Sequence, residues 1–135
     1  MAIRLATRLL DDPNAPEIDC RAAAHLAYYA VYHLVCDHFR IDPYTSHDDG
    51  KHKAVRDRLR AFNPIAASPE IKEAKRVFDT LFKLRVRADY EWNGSFDAGD
   101  AEDMVERAKG VFARIQKPAL SPPKSQSSGF VAPRP

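Results

Sequence analysis

Residues 22–36, AAAHLAYYAVYHLVC, place apolar or aromatic side chains on nearly every side of a helix. A helix with a single apolar stripe can lie on the outside of a core, but one that is apolar almost all round must be enclosed by neighbours. This segment predicts a long central helix over residues 16–40, with Asn14 as N-cap, Pro16 in the first turn and Glu17 as a capping-box carboxylate. Its polar interruptions, Arg21, His25, His33 and Asp37, come at steps of four or eight and drift slowly round one side.

The other segments supply the enclosure. Ile3, Ala6, Leu9 and Leu10 predict a short helix over residues 2–10, closed by Asp11-Asp12-Pro13, that acts as a lid. After the loop RIDPYTSHDDG, residues 51–62 form a helix with Val55, Leu59 and Phe62 inward and Lys53, Arg56, Asp57 and Arg60 outward. Ser68-Pro69-Glu70 opens a fourth helix, whose seam Ile71, Ala74, Phe78, Leu81, Arg85, Ala88 and Trp92 follows alternating steps of three and four. Gly94 and Gly99 flank a turn, Asp100 caps a fifth helix, and Ala101, Met104, Val105, Ala108, Val111, Phe112 and Ile115 give it a continuous apolar face.

With 135 residues, 44% hydrophobic and 30% charged, the chain suits one domain with one core. Five glycines in long stretches of alanine, leucine, arginine and glutamate favour helix over sheet. The expectation is an all-α bundle of four to five helices over residues 1–117, followed by a disordered Pro/Ser-rich tail over residues 118–135. The net charge of +2 is too small to argue for nucleic acid by bulk electrostatics, so any basic surface must be local. Cys20 and Cys36 stand sixteen residues apart on one helix, about 24 Å at 1.5 Å per residue, and cannot bond to each other. Two free thiols, no apolar N-terminal signal core and no long apolar run imply a cytoplasmic protein with no membrane association.

Arg85 is the exception in the seam. A guanidinium cannot discharge, and burying it unpaired costs several kcal/mol, so it needs a carboxylate and further acceptors. Asp89 stands one turn on, and Tyr28, Tyr29, Tyr32 and His33 on the central helix are the remaining polar candidates. Two readings follow. Arg85 and Asp89 form an ion pair that fixes helix register, or Arg85 faces a phosphate in a cleft with His33 or His52 as proton carrier. Arg87, beside Lys83 and Glu91, reads as an ordinary surface charge.

AYYAVYH at 27–33, KHKAV at 51–55, LFKLRVRADY at 81–90 and DAEDMVERAKGVFARI after it together resemble a HEPN domain (higher eukaryotes and prokaryotes nucleotide-binding), over about residues 17–116. The resemblance is to a small prokaryotic branch with Ala-Tyr-Tyr-Ala before a histidine and a later Arg-x-x-Ala-Asp-Tyr. It implies a bundle of four or five helices, often a homodimer, with a cleft near the dimer interface. Many such proteins are metal-independent ribonuclease toxins of toxin-antitoxin or defence systems. Others bind RNA, nucleotides or a partner nucleotidyltransferase without activity. Arg85, Asp89 and Tyr90 match the Arg-x-x-Ala-Asp-Tyr element, His33 the histidine after Tyr-Tyr-Ala, and His52 the histidine opening the third helix. The nuclease members carry an arginine followed, after four to six residues, by a histidine, whereas here Tyr90, Glu91, Trp92, Asn93 and Gly94 follow without one. Arg40 and His47 have that spacing, but in a proline-containing loop where it reads as coincidence.

His47, Asp48, Asp49 and His52 match no defined metal motif and read as a polar loop before a helix, so neither a metal nor a cofactor is expected. Lys51, Lys53, Arg56, Arg58 and Arg60 make the third helix the most basic, a candidate RNA contact or an ordinary solvated face. The expected function is a HEPN-like RNA- or nucleotide-binding module, homodimeric, with a nucleotidyltransferase or antitoxin as possible partner. The alternative is a ribonuclease with a rearranged site built on Arg85 with His33 or His52.

Overall fold

The computed structural model describes residues 2–43, 50–63, 65 and 67–115, with no description of the Lys51 side chain. The expected tail, and His47, Asp48 and Asp49 of the loop, lie outside the described residues. Five helices follow in order: α1 (Ala2–Leu9), α2 (Glu17–Phe39), α3 (Gly50–Ala61), α4 (Pro69–Tyr90) and α5 (Ala98–Phe112). No strand occurs among the described residues, and no described helix is long and apolar enough to cross a membrane.

Helix α2 touches all four others. Its alanines make that enclosure possible: Ala23, Ala24 and Ala27 are fully buried, and their small side chains let neighbouring helices come close. Tyr28, Val31, Val35 and Cys36 complete the buried faces, against Phe78 and Leu81 of α4 and Met104 and Val111 of α5. Helix α1 packs on α2 and α5, and Ala6 is its buried residue. Both cysteines are buried and neither is in a disulfide, and burial raises the Cys20 thiol above its ordinary range.

The helix ends depart from the sequence reading. Pro16, rather than Asn14, is the N-cap of α2, with no side-chain cap. The Asn14 amide instead bonds the Asp12 carboxylate at 2.8 Å, closing a turn before the helix begins. Ser68 caps α4 by backbone position alone, and its hydroxyl is enclosed without a partner among the described residues. The N-cap of α5 lies three residues before the expected one. Asp97 is the N-cap and Asp100 sits at N3, each carboxylate taking the other's backbone amide at 2.9 and 3.1 Å. Two acids three apart make a reciprocal box as a serine and glutamate do, so Gly99 lies inside the helix. At the far end Ile115 falls beyond α5 and is exposed.

Trp92 also leaves the seam. Helix α4 ends at Tyr90, the three-four spacing no longer applies beyond it, and the indole is 57% exposed. Its place in the core goes to Phe96, which is 1% exposed. Arg87 is partly buried rather than a plain surface charge, since its guanidinium lies 5.5 Å from the Phe96 ring, 3.3 Å from the Ser95 carbonyl and 3.5 Å from Asp100.

Candidate functional site

Among the described residues two arginines are buried, and their surroundings differ. Arg21 was read only as a polar interruption of α2, yet it spends all five of its N–H donors on the protein. Its Nε donates to Glu17 at 2.9 Å. One terminal nitrogen donates to the carbonyls of Arg87 at 2.9 Å and Ala88 at 3.0 Å. The other reaches the carbonyls of Glu91 at 3.2 Å and Gly94 at 2.8 Å. Ala88 lies in the last turn of α4, Glu91 and Gly94 lie just past its end, and the Arg87 carbonyl also accepts the Glu91 amide at 3.1 Å; a cation there meets the negative end of the helix dipole. Arg21 is a cap for α4. A charged residue in an apolar helix, four after Glu17, was the available sequence signal; the distant carbonyls were not visible.

Arg85 is 7% exposed and only partly satisfied. Its Nε donates to Asp89 at 3.0 Å, one turn away as the spacing required. Nη2 donates to the Tyr29 hydroxyl at 2.8 Å and lies 3.5 Å from that of Tyr90. Nη1 has no hydrogen-bond acceptor among the described residues. The guanidinium sits 5.4 Å from the Tyr28 and Tyr29 ring centres and 5.3 Å from that of Tyr90, so it is held by π-faces as well as by hydrogen bonds. Burial opposes its charge, but the surrounding phenols and Asp89 outweigh burial and raise the affinity for the proton.

Asp89 is shared. The same carboxylate lies 2.9 Å from His25 Nδ1, which joins α2 to α4 through the chain His25, Asp89, Arg85 and Tyr29. Tyr28 serves a different partner: its hydroxyl and His52 Nδ1 are 2.8 Å apart. Burial pushes the Tyr28, Tyr29 and Tyr32 phenols above their usual range, so each remains a neutral hydroxyl at pH 7. His52 stacks on Tyr32, with ring centres 4.7 Å apart, which fixes the plane of its imidazole.

Between α3 and α4 lies a cavity of about 480 Å³ lined by His52, Arg56, Phe82, Arg85, Val86 and Tyr90. Among the described residues no carboxylate lines it. Arg56, expected to point outward, instead lies with its guanidinium 4.3 Å from the Phe82 ring centre and its Nε enclosed without an acceptor among the described residues. The remaining basic residues of α3 stand apart. Lys53 pairs with Asp57 at 2.8 Å, and Arg60 approaches Asp79 at 3.4 Å. The Lys51 side chain lies outside the described residues.

His33 is not brought to this cavity. It borders a separate hollow at the end of α2 with Cys36, Asp37, His38 and Arg40, because five residues beyond Tyr28 the helix has turned it to a different side. Of the two histidines weighed as proton carriers, His52 alone lines the cavity with Arg85. No group of three or more potential metal ligands occurs among the described residues.

No protein-family model, curated protein or solved structure matches this chain.

Proposed function

We propose that the α3–α4 cavity binds the phosphate of an RNA or nucleotide, and that the chain is a HEPN-like binding module. One observation carries this reading: Arg85 and Arg56 border a cavity that no carboxylate of the described residues lines, each retaining guanidinium N–H donors that no described residue satisfies. An anion in the cavity offers acceptors to the unsatisfied Arg85 donor and a counter-charge to Arg56, since phosphate oxygens accept forked hydrogen bonds from arginine and neutralise neighbouring cations. The Arg-x-x-Ala-Asp-Tyr resemblance, which falls on Arg85, Asp89 and Tyr90, points the same way. A second copy, an antitoxin or a nucleotidyltransferase belongs to this reading as a partner.

The direct test is anisotropy of a labelled oligoribonucleotide at low salt with chelator present. Binding weakens with salt by counterion release, and Arg85→Ala lowers affinity by about tenfold or more. Undiminished binding by Arg85→Ala counts against the site.

A ribonuclease is the second reading, favoured by the presence of His52 with Arg85 on one cavity. In it Arg85 stabilises the scissile phosphate and His52, oriented by Tyr28 and Tyr32, handles the proton. Incubation with total RNA separates the two readings: cleavage that disappears in both Arg85→Ala and His52→Ala establishes the enzyme, and intact RNA with retained binding establishes the module.

A further inference from the structure

We infer that the ligand of this site is an unpaired nucleotide whose base leaves the phosphate cavity across Tyr90 and lies in a neighbouring apolar hollow beside Trp92; the inference rests on the phosphate reading above. The hollow measures about 580 Å³ and lies between α1, α2 and the end of α4, with Leu5, Ile18, His25, Asp89, Tyr90 and Trp92 among its lining. Tyr90 also lines the phosphate cavity, so its ring is the wall common to a cationic space and an apolar one. That pairing of surfaces matches a nucleotide, with an anionic end and a flat π-face joined by a short sugar.

The platform is exposed and rigid together. Leu5, Ile18, Tyr90 and Trp92 are four of the large apolar side chains that stand out to solvent on this molecule, and all four line the one hollow. Exposed aromatics usually swing freely, but the Trp92 indole is held from two sides. Its Nε1 donates to the Asp89 carbonyl at 2.9 Å, and the Arg21 guanidinium lies 4.5 Å from its ring centre. Arg21 is itself fixed by the end of α4. A ring held this way loses little freedom when a base stacks on it. His25 and Asp89 border the hollow with polar atoms able to meet a base edge. A base inside a duplex is already stacked on both faces and cannot lie here, so the inference selects single-stranded RNA over a helix.

Trp92 is the chain's single tryptophan and therefore reports on its own hollow. The experiment titrates full-length protein with a labelled adenosine hexaribonucleotide, following anisotropy and tryptophan emission together. An abasic ribose-phosphate hexamer and a blunt RNA hairpin serve as competitors. The expected result is saturable quenching by the hexaribonucleotide, with the abasic chain and the hairpin each binding about tenfold more weakly. Tyr90→Ala and Trp92→Ala, followed by anisotropy, weaken hexaribonucleotide binding more than abasic binding. Equal affinity for base-bearing and abasic chains with unchanged emission overturns the base hollow and leaves the phosphate cavity standing. Absence of binding by either chain overturns both. Emission that changes on diluting the protein alone places a second copy in the hollow and also overturns the inference.

Discussion

Replacing Arg21 by methionine keeps an unbranched side chain of similar length in a buried site and removes five hydrogen bonds made by a cation. Hydrogen bonds to charged groups contribute about 1.5–3 kcal/mol each, but they do not add. Most of the sum is offset by the desolvation that the buried guanidinium no longer suffers. Glu17 is half exposed and returns to water at little cost, and the carbonyls of Arg87, Glu91 and Gly94 are near enough to the surface to be hydrated. The Ala88 carbonyl is enclosed, and leaving it unpaired costs about 1–3 kcal/mol. Losing the contact with the Trp92 ring adds about 0.5–1 kcal/mol. The expected destabilisation is about 3 kcal/mol.

Arg85→Met supplies the contrast. Asp89 keeps His25, Tyr29 is only half-buried so that water can reach it, and the methionine stem still fills the space between the aromatic rings. The cost is about 1 kcal/mol or less. Urea unfolding followed by helical circular dichroism measures both, and with a slope of about 2 kcal/mol per molar the midpoints fall by roughly 1.5 M and 0.5 M. Equal losses, or a larger one for Arg85→Met, refute the claim that Arg21 holds the fold while Arg85 is held ready for a ligand.

Three further outcomes are expected. Asp97→Ala removes the carboxylate that accepts the Asp100 amide in the α5 capping box, leaving the reverse bond from its own backbone amide to Asp100, and lowers stability by about 1 kcal/mol, read from the same urea transition. Arg40 holds φ at 58° at the end of α2, with the Ile41 amide bonded back to the Cys36 carbonyl; Arg40→Gly relieves that left-handed backbone and raises stability by about 1 kcal/mol. Glu73 is buried against Arg76 and within 3.7 Å of Arg114, and its hydrogen bond to Arg76 holds the carboxyl below its ordinary range. The stabilisation of about 1 kcal/mol is therefore complete above the unfolded value near pH 4.3 and is lost as pH falls through the depressed native one. Wild type and Glu73→Gln differ at pH 7 and converge in acid, which thermal melts across pH 2–7 measure.

How much of this was legible in the sequence depended on the range of the forces involved. Helix identity follows from patterns within a few residues, so all five helices and the central place of α2 could be read directly. The Arg85–Asp89 pair could be read for the same reason, since residues four apart on one helix face each other whatever the tertiary fold. Cap assignments went wrong where two candidates competed within three residues: Asp97 and Asp100 are the same chemistry, and only the backbone decides which one precedes the helix. Trp92 was misplaced because periodicity carries no signal for its own end.

Contacts across long chain distances were the illegible part, and the two arginines show why. Arg21 and the carbonyls it meets at and just past the end of α4 are 66 to 73 residues apart, and carbonyls have no residue identity by which a sequence can announce them. The cavity depends on the same kind of information. His33 and His52 were equivalent as titratable residues near Tyr28, and the choice between them rested on where α3 crosses α2. The Tyr28–His52 bond spans 24 residues, a separation no helical period encodes. Arg56 belonged to a run of alternating basic residues that looked like a solvated face. The turn of α3 directs Arg56 onto Phe82 and leaves Lys53 and Arg60 to their exposed acidic partners. Local periodicity thus sets which side chains share a helix face, while helix crossings decide which of them become a site. A buried cation with donors left over is where the two levels meet, and for that reason Arg85, rather than the more numerous exposed lysines and arginines, is the position at which substitution should separate binding from stability.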